Sequence, residues 1–269
     1  MLIVHPTDLL ATSEGAFDHA LKLALAERGQ LALVHAHTYA TEEIPDLDAF
    51  PHVRETLARW NLLPAGAPQS DVGDKLGLQV MKGEIRTVDP EAALAKLVND
   101  RHADMIVLGT RALEGLQRLR KGSFSQELAR EAKLPALFVP QDAEGFVDRS
   151  DGEVRLRNVL IPVDDDPAPA GAIVVAQALS RTLQQDTRFH LLHVGGAGSM
   201  PAHRLDGANE IERSGHVVET IVEVADEVDA DLIVMATAGH KSFLDAIRGS
   251  TTEEVLIKAK RALLAVPAT

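Results

Sequence analysis

The chain repeats itself, and that repeat limits the folds open to it more than any other feature. Ala103-Asp104-Met105-Ile106-Val107-Leu108-Gly109-Thr110 reads almost as Ala230-Asp231-Leu232-Ile233-Val234-Met235-Ala236-Thr237, at an offset of 127. The same offset carries Gly122-Ser123 onto Gly249-Ser250 and Leu137-Phe138-Val139-Pro140 onto Leu264-Ala265-Val266-Pro267. Upstream, Pro6-Thr7-Asp8 answers Pro162-Val163-Asp164 at an offset of 156, and Val34-His35 answers Leu192-His193 at 158. A single loss of about 31 residues between the second and fourth strands of the second copy explains both offsets. The chain therefore reads as domain 1 over residues 1–141, a linker over 142–157, and domain 2 over 158–269, shortened between strands 2 and 3. The junction, polar and charged with two glycines, has linker composition.

Short apolar runs alternate with segments of helical spacing in both copies. Copy one reads as strand 2–5, helix 13–28 with Ser13 as N-cap, strand 31–36, a helix within 41–60, a Gly- and Pro-rich loop over 61–75 and strand 76–81. Helix 90–99, strand 105–108, helix 123–132 and strand 136–139 follow. Copy two reads as strand 159–163, helix 170–183, strand 189–194, a weak strand near 210–212, helix 217–228, strand 232–236, helix 251–260 and strand 262–266. A Gly-rich segment, 195–207, replaces the second helix. Strands that alternate with helices imply right-handed crossovers and a parallel sheet. The expected fold is α/β: two tandem doubly wound domains, each a five-stranded, mainly parallel sheet flanked by helices. Aromatic residues are only 3% of the chain, so the cores must be aliphatic, which suits such sheets.

Composition excludes several functions. A net charge of −13 repels nucleic acid and anionic membranes, although a local basic site for a small anion stays open. Without cysteine there are no disulfides, thiolate metal sites or cysteine nucleophiles. No signal peptide or run of 18 apolar residues is visible, which points to a cytoplasmic protein. Eleven histidines form no HExxH motif, so no metal site is expected; His35 and His193 are equivalent by repeat and read as structural strand-end residues. Phosphate loop, dinucleotide and nucleophile-elbow motifs are absent.

In doubly wound sheets ligands bind beyond the carboxyl ends of the strands, where strand order reverses. Strand one ends at Asp8 and at Asp164, each able to bond a ribose hydroxyl or an adenine amine, or to serve as a loop salt bridge or cap. After strand four come Lys121-Gly122-Ser123-Phe124-Ser125 and Arg248-Gly249-Ser250-Thr251-Thr252, each opening a helix. Unpaired amides and the macrodipole favour an anion there, and glycine lets a phosphate approach closely. The same turns match the capping-box pattern through Gln126 and Glu253, so capping alone explains them equally well.

At these residues the chain resembles the universal stress protein family, in its tandem form. The resemblance rests on the Gly-x-x-Gly, nine residues, Gly-Ser/Thr pattern after strand four, on the first strand ending in Asp, and on GHKSFLDAIRGSTTEEVL over 239–256. It covers both copies. It implies an adenine nucleotide alpha-hydrolase-like fold and a ligand, ATP or a related adenine nucleotide, with or without Mg²⁺. In domain 2 it assigns Asp164, Leu192, Gly239, Gly249, Ser250, Thr251 and Thr252 to that ligand. In domain 1 it assigns Asp8, Val34, Gly109, Gly122, Ser123 and Ser125. Ala112 replaces the second motif glycine of copy one and Ala236 the first of copy two, so neither motif is complete. Copy two, with both glycines nearer the phosphates, is favoured for phosphate binding.

The expected function is that of a cytosolic stress-response regulator or sensor that binds adenine nucleotide, without efficient catalysis. The alternatives are an interaction module with degenerate pockets and a slow ATPase. An adenylating enzyme is disfavoured, because Pro6-Thr7-Asp8-Leu9-Leu10 stands where such enzymes carry an SGG-x-DS-type loop. Expected partners are the nucleotide and an unidentified protein. The two copies are expected to pack as an intrachain pseudo-dimer, which could pair further into a homodimer.

Overall fold

The computed structural model describes residues 1–10, 13–39, 50–109, 134–141, 145–202, 205–237 and 251–268. Two compact units account for the contacts: Met1–Ala132 with Val139–Glu153, and Lys133–Phe138 with Val154–Thr269.

Unit 1 is built on four parallel strands in the order β3-β2-β1-β4. They are β1 (Leu2–Pro6), β2 (Gln30–Thr38), β3 (Gln79–Thr87) and β4 (Met105–Gly109). Strand order reverses at β1, which has β2 on one side and β4 on the other. Helix α1 (Glu14–Ala26) packs on β1, β2 and β4, and α4 (Pro90–Asp100) packs on β2 and β3. Between β2 and β3 lie α2 (Val53–Arg59) and α3 (Ser70–Leu76). The core is aliphatic, as the composition requires: Ile3, Leu21, Leu31, Leu33, Ile106 and Leu108 are fully buried.

Unit 2 has the strand order β5-β10-β9-β6-β7-β8. Strands β6 (Asn158–Pro162), β7 (Arg188–Val194), β8 (Asn209–Arg213), β9 (Leu232–Thr237) and β10 (Ala262–Pro267) run parallel and repeat the order of unit 1. Helix α5 (Ala170–Thr182) covers β6, β9 and β10, α6 (Val217–Glu227) packs on β7, and α7 (Thr251–Ala259) lies against α6 and β10. Strand β5 (Ala136–Val139) belongs by sequence to copy one, yet it pairs antiparallel with β10, Leu137 opposite Leu264. Both strands are wholly apolar runs, and an unpaired apolar edge is a template for aggregation that this pairing removes.

Three expectations need correction. The loop read over 61–75 holds all of α3 but its last residue, Leu76; the polar sequence of this helix buries only Val72, so it lacks an apolar stripe. The third strand is not 76–81 but Gln79–Thr87. It begins after Gly77, which takes a left-handed φ of 70° to end α3, and it alternates polar residues because it is the edge strand. Within the stretch read as linker, Phe146 and Val147 are buried against α1. His19 contacts the Phe146 ring edge-on at 4.5 Å, and its Nε2 accepts the Val147 N–H at 3.2 Å. Two apolar residues among many polar ones were too weak a signal to read as packing. Among the described residues no helix is long and apolar enough to cross a membrane.

Candidate functional site

Each copy builds the same main-chain frame where strand order reverses. In copy one Pro6 pairs with Val34, and Thr7 N donates to Val34 O at 2.9 Å. In copy two Pro162 pairs with Leu192, and Val163 N donates to Leu192 O at 2.8 Å. One histidine per copy locks this frame: His35 Nδ1 donates to Thr7 O at 2.9 Å, and His193 Nδ1 to Val163 O at 3.0 Å. A carbonyl oxygen only accepts, so both rings carry their proton on Nδ1. The two histidines thus have the structural role read from the repeat.

The strand ladders bring the neighbouring residues level. Val4 pairs with Ile106, so the parallel register carried onward sets Gly109 beside Thr7. Leu160 pairs with Ile233, which sets Ala236 beside Val163 and Thr237 beside Asp164. Asp8 follows the end of β1, Val34 pairs with Pro6 at that end, and Gly109 is the last residue of β4. Asp164 follows the end of β6, where Leu192 pairs with Pro162. Asp8 and Asp164 are both exposed. Thr251 and Thr252 stand in the first turn of α7, Thr252 buried, and Glu253 and Glu254 share that turn. Gly122, Ser123, Ser125, Gly239, Gly249 and Ser250 lie outside the described residues, as do the helix read over 123–132 and residues 41–49.

The turn from β1 to α1 is locally strained. Leu9 has a φ of 62°, a conformation that costs a non-glycine residue about 1–2 kcal/mol. Nearby hydrogen bonds offset it: Leu9 N donates to Thr7 Oγ1 and Leu10 N to Asp8 Oδ1, both at 3.0 Å. Ser13 stands at the N-cap position but does not cap the helix; its hydroxyl donates back to Leu10 O at 2.9 Å. Strain of this kind persists where surrounding structure over-determines it, and it collects at ligand sites. Behind the turn lies a cavity of about 190 Å³ reaching α2, lined by Thr7, Leu9, Ser13, Phe17 and Asp18 among others.

Three buried titratable groups surround this region. Burial holds His5 down to about 4, against a Val107 carbonyl bond (2.9 Å) and the charge of Asp8 that both act to raise it. Burial lowers His19 to about 4 as well, opposed by its bond to Gly15 O at 2.7 Å. Burial pushes Asp18 up to about 6, although Arg59 (3.4 Å) and Arg149 (3.3 Å) pull it down. This cluster was not read from the sequence. The available signal was an Asp-His pair inside the apolar spacing of α1. Among the described residues no three His, Cys, Asp or Glu side chains converge as a metal ion would require.

In copy two the Gly-rich segment is tied down over the end of β7. Glu212 accepts from Gly198 N at 2.9 Å and Met200 N at 3.0 Å, and Ser199 Oγ lies 2.9 Å from His193 Nε2.

Fold and strand-end frame together define a duplicated doubly wound α/β domain. The sequence profile of the universal stress protein family matches residues 1–140 and 201–267. A curated relative from Thermus aquaticus, "Universal stress protein in QAH/OAS sulfhydrylase 3'region", is 30% identical over 129 residues, covering 45% of this chain and 90% of that protein. A universal stress protein structure from Archaeoglobus fulgidus aligns with a TM-score of 0.58 at 17% identity, over 99% of this chain and 96% of its own. A functionally unknown protein from Pseudomonas aeruginosa PAO1 aligns with a TM-score of 0.62 at 14% identity, over 99% and 92%. At such identities the structural likeness speaks for the fold alone. The chain belongs to the universal stress protein family.

Proposed function

We propose that this protein binds an adenine nucleotide at the carboxyl edge of its strands and acts in the cytoplasm as a regulatory or sensor protein of the stress response, not as an enzyme. The observation that carries the reading is the duplicated frame. In both copies an amide, a strand-two carbonyl and an Nδ1-protonated histidine hold the first strand's end rigid, with Asp8 or Asp164 exposed beside it. A preorganised main-chain edge with an exposed carboxylate beside it suits the ribose or adenine end of a nucleotide.

In this reading Asp8, Val34 and Gly109, or Asp164 and Leu192, hold the adenosine. The Gly122-Ser123-Ser125 turn, or Gly239 with Gly249-Ser250-Thr251-Thr252, holds the phosphates, with or without Mg²⁺. Glu253 and Glu254 in the first turn of α7 already complement its positive end and oppose a highly charged phosphate chain. That observation keeps open the second reading, an interaction module whose nucleotide pockets have decayed.

The test is to denature the purified protein and identify any released nucleotide by chromatography and mass spectrometry. The parallel substitutions Gly122→Leu and Gly249→Leu then identify the working copy, because only the one that fills a phosphate site abolishes retention. Protein that carries no nucleotide and takes none up on incubation with ATP, ADP or AMP favours the second reading.

A further inference from the structure

The chain leaves unit 1 at Lys133, returns to it at Val139 and leaves it again after Glu153. The last part of that return, residues 145–153, lies on α1 and on the end of α2. Phe146 and Val147 are buried there, and Val147 N donates to His19 Nε2 at 3.2 Å. Arg149 donates from Nε to Asp18 Oδ2 at 3.3 Å and from Nη2 to Glu14, and its carbonyl accepts the Trp60 indole N–H at 3.2 Å. The segment also closes on itself. Asp148 N donates to Glu153 O at 2.8 Å, and Gly152 N to Asp148 O at 2.9 Å. With two buried apolar side chains and few bonds to the helices, it can come away as a unit without unpairing any of β1 to β4.

His19 is the point at which acid acts on this segment. Its Nδ1 donates to Gly15 O at 2.7 Å, so Nε2 carries the lone pair that accepts the Val147 N–H. A second proton has to go on Nε2, where it meets a donor in place of an acceptor. The ring has little room to turn away: Phe146 stands edge-on to it at 4.5 Å, and a Cβ on Gly145 would overlap it.

We propose that residues 145–153 are an acid-released strap with His19 as its catch: the neutral imidazole holds Val147, and its protonation lets the strap leave α1 while the sheet of unit 1 stays folded. The docked ring is held to about 4 by burial, against 6.5 for a free imidazole, so the undocked state takes up the proton first and acid favours undocking. Asp18, at about 6 with Arg149 as one of its two cations, binds its proton more tightly once Arg149 leaves, which acts in the same direction. Among the described residues, the exposed Glu14, the second cation Arg59, and Lys22 with its strap partner Asp151 complete the charges around these groups. His5, on β1 beneath α1, titrates in the same interval but belongs to the sheet, so its proton loosens the whole unit and not the strap in particular.

The test is amide hydrogen exchange of the full chain at pH 7 and pH 5, resolved by NMR and corrected for the intrinsic rate at each pH. At pH 5 the Val147 amide is expected to exchange at least about tenfold faster than the amides of β1 and β4. Its protection falls about 20-fold between pH 7 and pH 5, the ratio set by an imidazole that titrates at about 4 docked and 6.5 undocked. The indole N–H of Trp60, the single tryptophan, follows the same course. In His19→Gln, whose side chain still accepts but does not titrate, the fall is about fivefold or less. Circular dichroism checks that the variant folds; if it does not, the comparison of Val147 with β1 in the wild type decides. Equal protection of Val147 and β1 at pH 5 means that the strap opens only with the whole unit, and it overturns the proposal. So does Val147 protection that ignores pH, or the full 20-fold fall in folded His19→Gln.

Discussion

Acidification from pH 7 to pH 5 should destabilise unit 1, and His19 should account for a large share of the loss. Its Nδ1 donates to Gly15 O, so Nε2 carries the lone pair that accepts the Val147 N–H. A proton on Nε2 abolishes that bond and charges a buried ring. The folded-state pKa is about 4 against 6.5 for a free imidazole. A base whose pKa is depressed by folding contributes stability that is present above the unfolded value and lost as pH falls through the interval between 6.5 and about 4. At pH 5 the unfolded ring is almost fully protonated and the folded ring hardly at all, a loss of about 2 kcal/mol. His5, also held at about 4, loses a similar amount. Asp18 acts oppositely: its pKa is raised from 3.8 to about 6, so the folded state gains a proton first and recovers about 1 kcal/mol by pH 5. The net loss is about 2–3 kcal/mol. His19→Gln keeps an acceptor for Val147 but does not titrate, so its loss should be about 2 kcal/mol smaller than that of the wild type. Urea denaturation at pH 7 and pH 5, followed by the fluorescence of the single tryptophan, Trp60, measures this directly. An equal loss in variant and wild type would refute the reasoning.

Three further outcomes are expected. Gly152 has a φ of 72°, and a Cβ there would sit 2.5 Å from Trp60 Cδ2. Gly152→Ala should therefore cost about 1–3 kcal/mol and shift Trp60 emission, read by denaturation and spectra. Asp231 Oδ2 accepts from Arg157 N at 2.6 Å and Asn158 N at 2.8 Å, as Asp104 Oδ2 accepts from Leu2 N at 2.6 Å. Asp231→Ala should lower stability by about 1–2 kcal/mol, checked by urea midpoints. Arg149→Ala removes one of the two cations beside Asp18 and should move its pKa further up from about 6, readable by carboxyl-carbon NMR titration.

The repeat carried most of the fold. Ala103-Asp104 and Ala230-Asp231 open β4 and β9 in the same way, and each Asp holds the start of its copy's first strand. Aliphatic strands such as Met105–Gly109 and Leu232–Thr237 were legible because burial on both faces leaves a continuous apolar run. The edge of copy one was not. Helix α3 and the second half of β3 are polar, and their form comes from the Gly77 turn and the register with β2. Asp8 and Asp164 were legible as strand-end carboxylates. The histidine-to-carbonyl bonds behind them were not, since equivalence by repeat indicates that a residue has a role without naming the atom it meets. Asp18 meets Arg149, and His19 meets Val147, across more than a hundred residues of chain, a separation at which spacing carries no information.

Isothermal titration of the full chain with ATP, ADP and AMP tests the central claim most directly. Saturable heat with at least one of them, lost in Asp8→Ala or in Asp164→Ala while the fold is retained, is the predicted result. Absence of heat with all three, from protein shown to carry no nucleotide already, would contradict it.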